Sequence, residues 1–284
     1  MNIDLHTHTT ASDGSDSPSE LVAKAGRLGL DALGVTDHDT VDGLDEALVQ
    51  TVPGLEVVPG IEFTTDTATT EVHLLGYYLD HHHPELLALV ATIREERIAR
   101  AREMVSRLGR LGLPVPWEEV WEAASRRGFV GRGQIVRVMK RRGLVPSEPE
   151  RAKEFLNRYL SREGAAYVPH SYLNPEQAIA AIRRAGGVPV LAHPGRAMTG
   201  VAIDDGLIAR LTGAGLLGLE AYYPSYEPGD TLHLLRVAER LGLIPTGGTD
   251  YHGRFGATPL GSCSPPGSTL GRLKEAADKV RRGR

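Results

Sequence analysis

The chain has 284 residues, enough for one large α/β domain with room for an insertion, and its 41% apolar and 24% charged content is ordinary for a globular protein. A formal net charge of −4 gives no overall field that would favour long nucleic acid or an anionic membrane. No apolar run is long enough to span a bilayer, and MNIDLHTHTT does not read as a secretory leader. Cys263, the single cysteine, excludes an internal disulfide or a thiolate cluster, so a cytoplasmic setting is expected.

In chain order, Ile3–Thr9 reads as a strand and Pro18–Leu28 as a helix, with Ser17 as N-cap and Pro18 at the first helical position. Ala32–Thr36 is a strand and Gly43–Gln50 a short helix, followed by strands over Val57–Phe63 and Val72–Leu79. From about Glu85 to Tyr167 no strand pattern appears. Helical patterns over Glu85–Leu111, Trp117–Arg126, Gln134–Arg142 and Pro149–Leu160 predict a helical insertion over 85–167, a candidate lid. Strands return at Pro189–Ala192, Gly218–Tyr223 and Ile244–Gly247. They alternate with helices near Pro175–Ala185, which Gly186 and Gly187 terminate, Asp204–Ala214 and Gly229–Leu241. The repeated β-α alternation over 1–84 and 168–284 predicts a parallel sheet or barrel.

With no thiolate available, a transition metal must be held by His, Asp and Glu. His6 and His8 are two apart in a predicted strand, so both imidazoles leave one face. Asp250 and His252 repeat that spacing after the last strand, and His38, Glu62 and His193 each fall at a strand's C-terminal end. Asp13 lies in the loop after the first strand. His73 fits less well, near the start of its strand. In a parallel barrel the C-terminal strand ends share one face, where residues distant in sequence converge on one site. Nine candidates exceed the needs of one ion and suit two or three, and imidazole with carboxylate suits Zn, Mn or Fe. Paired ions about 3.5–4 Å apart activate water and clamp phosphoryl oxygens, and a carboxylate such as Glu62 can bridge them. His81–His83 before Pro84 read as a solvated turn and His233 as a structural helix residue, while His170, where the insertion returns, is a candidate substrate contact.

The segments Asp4-Leu-His-Thr-His, Ser12-Asp-Gly, Thr36-Asp-His-Asp-Thr, Pro59-Gly-Ile-Glu, Val72-His-Leu-Leu-Gly, Leu191-Ala-His-Pro-Gly and Gly248-Thr-Asp-Tyr-His-Gly run across nearly the whole chain. Together they resemble the PHP (polymerase and histidinol phosphatase) superfamily. The resemblance implies a distorted (β/α)7 barrel with an inserted helical domain and a centre of two or three metal ions. It implies that His6, His8, Glu62 and Asp250 hold one ion. A second would be held by Glu62, His73 and His193, and a third by Asp13, His38 and His252. Catalysis is expected to rest on Glu62, Asp250 and His193.

Within that superfamily the Arg-rich helix after His81–His83, Gly131-Arg132 and Ala166-Tyr-Val-Pro resemble the nucleoside 3',5'-bisphosphate phosphatases and the enzymes that trim short oligoribonucleotides from the 5' end. Gln134 stands where that branch often has His. The implied substrate is a small phosphorylated molecule, a nucleotide or short single-stranded RNA, attacked by a metal-activated hydroxide. Arg132, Arg196 and His170 are the expected substrate contacts, and no obligatory protein partner or membrane is implied. Two other readings compete. One is hydrolysis of another phosphate ester, histidinol-phosphate-like, or of a C–N or C–O bond. The other is a non-enzymatic domain, which missing ligand residues would mark.

Overall fold

The computed structural model describes residues 1–124, 129–169, 173–196 and 202–283. Seven strands form one sheet in sequence order: β1 (Ile3–Asp4), β2 (Ala32–Val35), β3 (Glu56–Asp66), β4 (Glu71–Tyr77), β5 (Val188–Leu191), β6 (Gly218–Tyr222) and β7 (Ile244–Gly247). Past β1 the chain meets the segment after β7. Thr7 bridges Tyr251 in parallel, and His8 N donates to the Tyr251 carbonyl at 2.8 Å. First and last strands therefore lie side by side, and the sheet curls into a nearly closed seven-stranded barrel, as the resemblance implies.

One strand runs against the rest. β4 is antiparallel to both β3 and β5, while the other pairs are parallel. The β3–β4 connection is a hairpin closed at Thr67 and Thr70, with no helix between them. Strand β3 is longer than its apolar run predicts. Its first residues pair with β2, and Gly60–Asp66 pair with β4 through Thr64 and Thr65, β-branched residues that favour extended backbone.

The helices are α1 (Pro18–Arg27), α2 (Leu44–Leu48), α3 (Pro84–Arg110), α4 (Trp117–Glu122), α5 (Arg132–Arg141), α6 (Pro149–Leu160), α7 (Pro175–Arg184), α8 (Asp205–Gly213), α9 (Pro228–Leu241) and α10 (Ser268–Arg282). Ser17 caps α1 as its sequence predicts. Ser17 Oγ accepts from Glu20 N at 3.2 Å, and Glu20 Oε2 accepts from Ser17 N at 2.8 Å. α10 was not anticipated. Its Leu270, Leu273 and Ala277 join Ile3, Val58, Leu75, Val188 and Ile244 in one buried cluster beneath the strands.

The chain divides into two compact units, Met1–Val90 with Leu173–Arg284, and Ala91–Tyr172. The second unit has its own core, in which Met104 and Leu108 of α3 pack with Val120 of α4, Ile135 and Met139 of α5, and Leu160 of α6. Among the described residues no helix is long and apolar enough to cross a membrane.

Candidate metal centre

His6 and His8 follow β1 with their side chains on one face and fully buried. Their backbone is packed too closely for any side chain from the neighbouring loops. A Cβ on Gly248 would stand 2.4 Å from His6 N, and one on Gly14 would stand 2.3 Å from the His8 carbonyl oxygen. These two glycines let the loops carrying Asp250 and Asp13 close on the paired imidazoles.

Glu62 sits at the centre, fully buried. Its Oε2 lies 3.1 Å from His6 Nε2, 3.2 Å from His8 Nε2 and 3.1 Å from His38 Nδ1. Its Oε1 lies 2.9 Å from His73 Nδ1 and 3.1 Å from His193 Nε2. Asp250 Oδ1 adds contacts of 3.4 Å to His6 Nε2 and 3.0 Å to His8 Nε2. His252 Nε2 stands 3.3 Å from Asp13 Oδ1.

Antiparallel β4 explains His73. The start of a reversed strand lies at the same end as the finish of its neighbours, and His73 pairs with Thr64 while its carbonyl accepts from Ala192 N. Glu62 is likewise placed by level rather than by strand end. It lies within β3, opposite His38, where β2 has finished.

Three groups of donor atoms, each mutually within 4.8 Å, gather at this centre: His6, His8, Glu62 and Asp250; His38, Glu62 and His73; and His8, Asp13, His38 and His252. The first group has the same members as the first ligand set that the resemblance implies. The third contains the predicted trio with His8 added. The second has His38, not the expected His193, beside Glu62 and His73, while His193 reaches the same Oε1 of Glu62 that His73 does.

Several of these atoms have no hydrogen-bond partner despite full burial: His6 Nε2, His8 Nδ1 and Nε2, Glu62 Oε2 and Asp250 Oδ1. An orphaned buried polar atom costs about 1–3 kcal/mol. So many lone pairs aimed at common points fit divalent cations. The electrostatics agree. Burial opposes charge on Glu62 and Asp250, yet the imidazoles around them hold both carboxyls well below their usual range. Burial also opposes charge on His8, but Asp250 and Glu62 raise its imidazole to about 10. Glu62 and Glu71 do the same for His73. Burial, assisted by the charge of His8 and His73, pushes His38 down to about 3. The carboxylates require positive charge, which protonated imidazoles or bound cations would supply.

The backbone is strained at the same place. Asp39, His193 and Asp250 have φ of 50°, 30° and 51°, a region costly for non-glycine residues. The strain is held by hydrogen bonds: Asp39 N donates to the Glu62 carbonyl at 2.9 Å, and His193 N donates to Glu220 Oε2 at 2.8 Å.

Glu220 was not anticipated. It is fully buried in β6, and both its oxygens lie 3.1 Å from His6 Nδ1. A carboxylate there holds the proton on Nδ1 and leaves the Nε2 lone pair facing Glu62 and Asp250. Asp37 also went unremarked as a support. It accepts from Thr9 N at 2.8 Å and Ser12 Oγ at 2.6 Å, fixing the loop that carries Asp13. Tyr223 Oη donates to Asp250 Oδ2 at 2.9 Å. An acidic residue within the apolar run Leu219-Glu-Ala was the signal for Glu220, because a buried charge needs a specific partner.

The three expected substrate contacts fare differently. Arg132 is the first residue of α5, which begins two residues before the predicted start at Gln134. Gln134 is buried, and its Oε1 accepts from Gly131 N at 2.9 Å, so this residue serves the start of the helix. Arg196 ends a short 3-10 turn whose backbone is described while its side chain is not. His170 lies outside the described residues.

Residues 4–97 match the PHP domain. Over 252 residues the chain is 32% identical to the 5'-3' exoribonuclease Rnm of Salmonella typhimurium, which covers 88% of this chain and 84% of that protein. It is 31% identical over 252 residues to the 3',5'-nucleoside bisphosphate phosphatase of Chromobacterium violaceum, covering 88% and 87%. A solved structure from Bifidobacterium adolescentis, described as a presumed metal-dependent phosphoesterase, superposes with a TM-score of 0.86 at 30% identity and covers 96% of each chain.

Proposed function

We propose, because the chain belongs to the PHP domain family and is a metal-dependent phosphoesterase, that it hydrolyses a phosphate monoester on a nucleotide. The substrate is a nucleoside 3',5'-bisphosphate or the end of a short oligoribonucleotide. The observation that carries this reading is the pair of relatives above 30% identity, one named for each of those activities, aligned over most of their length. A cytoplasmic location accords with that substrate class.

The ligand sets are those the resemblance implies; the donor groups support the first and third, and for the second His193 reaches Glu62 although His38 takes its place in the group. His6, His8, Glu62 and Asp250 would hold one ion, and Glu62, His73 and His193 a second. Asp13, His38 and His252 would hold a third, with His8 in reach of it. Mn, Fe and Zn all suit imidazole with carboxylate. Ions bound there supply Lewis acidity and an activated water to phosphoryl transfer.

The chain's own residues supply the rest. Glu220 sets the tautomer of His6 and ties down the His193 backbone. Tyr223 orients Asp250 through its second oxygen. Arg132, Arg196 and His170 bind the phosphate groups of the substrate, with Arg132 on the phosphate that is not cleaved. A guanidinium suits that role because its planar fork matches phosphate oxygens.

The test is a panel of a nucleoside 3',5'-bisphosphate, a simple aryl phosphate, histidinol phosphate and an amide, assayed with Mn, Fe or Zn before and after chelation. Activity should require metal and be highest on the bisphosphate. Preference for the amide, or full activity after exhaustive chelation, would overturn the reading. Arg132→Ala should lower kcat/KM on the bisphosphate roughly ten- to a hundredfold and leave the aryl phosphate unchanged, as expected for one charge-assisted bond of about 1.5–3 kcal/mol. Equal losses would place Arg132 on the scissile phosphate.

A further inference from the structure

Asp45 on α2, with His81 and His82 in the turn between β4 and α3, lies outside the three donor groups of the barrel mouth. We propose that these three side chains form a separate surface site for a transition metal, of the two-imidazole, one-carboxylate kind that binds zinc. Their donor atoms lie within 4.8 Å of one another. His81 Nε2 is 2.9 Å and His82 Nε2 3.2 Å from the same atom, Asp45 Oδ1. Ligands on a tetrahedral ion with bonds of about 2.0–2.1 Å stand about 3.3 Å apart. The observed spacings therefore come close to two edges of such a tetrahedron, which leaves a fourth position for water.

Adjacent residues in extended chain point to opposite faces. Here a turn gathers them. The rings of His81 and His82 have centroids 4.1 Å apart and are inclined at 39°, which lets both Nε2 atoms reach one oxygen. The turn is built before any ion arrives. His82 N donates to Asp80 Oδ1 at 3.0 Å, His83 N to the Asp80 carbonyl at 3.1 Å, and Asp80 N to the Ala185 carbonyl at 2.7 Å. An entry path exists, because the side chains of His82 and Asp45 are 65% and 72% exposed.

The site shares no ligand with the barrel mouth. β4 leaves the mouth at His73 and runs about 13 Å to Tyr77, at roughly 3.3 Å per residue, before the chain reaches His81. Neutral imidazole with one carboxylate favours Zn, Ni or Cu over Mg or Ca. A bound ion would tie α2 to the turn that starts α3.

Zinc uptake by the manganese-loaded protein tests the proposal. The wild type, the double variant Asp45→Asn/His82→Ala and a control, His233→Ala, would be dialysed against the same free zinc and their bound zinc measured. His233 is also an exposed histidine paired to a carboxylate, Asp205 at 2.9 Å, but among the described residues it belongs to no three-donor group. Exchange of zinc into the barrel mouth is common to all three proteins and cancels. Both substituted side chains in the double variant are exposed, so the fold should persist, and circular dichroism checks this. The wild type and His233→Ala should each hold one zinc per chain more than the double variant. Equal zinc in wild type and double variant would overturn the proposal. Loss of the extra zinc in the His233 control would do so too, by showing uptake to be nonspecific.

Discussion

Glu62 and Glu220 show two ways a buried carboxylate can serve one centre. Glu62 touches five imidazoles and carries the charge that cations would share. Glu62→Gln keeps the size and removes that charge, so metal and activity should both be lost nearly completely, and substantial metal-dependent turnover in that variant would refute its central place. Glu220 acts at one remove. A carboxylate can only accept from His6 Nδ1, whereas the amide of Glu220→Gln can donate to it and move the imidazole proton to Nε2, the atom that faces the site. Metal affinity should fall about 10- to 100-fold, with activity recovering at higher metal concentration. Unchanged affinity in a competition with a chelator would show that Glu220 only packs. The donors themselves were legible because each is of ligand type and most follow a strand in a barrel pattern. Glu220 was not, since it lies within β6 rather than at a strand end, and its one cue was an acidic residue inside a short apolar run.

The strands show why order was easier to read than direction. Apolar runs mark β2, β5, β6 and β7 to within a residue or two, and short loops with glycine bound them. Nothing in Val72–Leu79 says that it runs backwards, because alternation and β-branching are the same in either direction. The hint was the short link between β3 and β4, too brief for the crossover that a parallel pair needs. Reading that link as a hairpin would have moved His73 to the mouth without any appeal to a resemblance. α10 was missed for a different reason. Its many charged residues mask a narrow stripe, Leu270, Leu273 and Ala277, that reaches the core at helical spacing. Leu273 is fully buried there. Leu273→Ala should destabilise the protein by about 2–5 kcal/mol, the usual range for a Leu removed from a packed core. A denaturant midpoint within experimental error of the wild type would mean that α10 is peripheral to the barrel.

The chain as a whole encloses two separate apolar clusters, one under the barrel strands and one among α3, α4, α5 and α6. The candidate ligands all belong to the first unit, Met1–Val90 with Leu173–Arg284. The only tryptophans, Trp117 and Trp121, lie in the second, Ala91–Tyr172. This division lets metal linkage be read unit by unit. An ion that binds folded protein but not unfolded chain stabilises it by RT ln(1 + [L]/Kd), about 4 kcal/mol when free metal exceeds Kd a thousandfold. That stabilisation belongs to the unit whose unfolding releases the ion. Chelation should therefore speed hydrogen exchange in peptides from β3 and β6 and lower their unfolding midpoint. The transition followed by tryptophan fluorescence should move much less, because unfolding of the helices need not open the site. Each unit has its own core, so separate transitions are the physical expectation. If chelation shifts the tryptophan transition as far as it shifts exchange in β3 and β6, the two units unfold as one cooperative body, and metal binding at the barrel mouth stabilises the inserted helices as well.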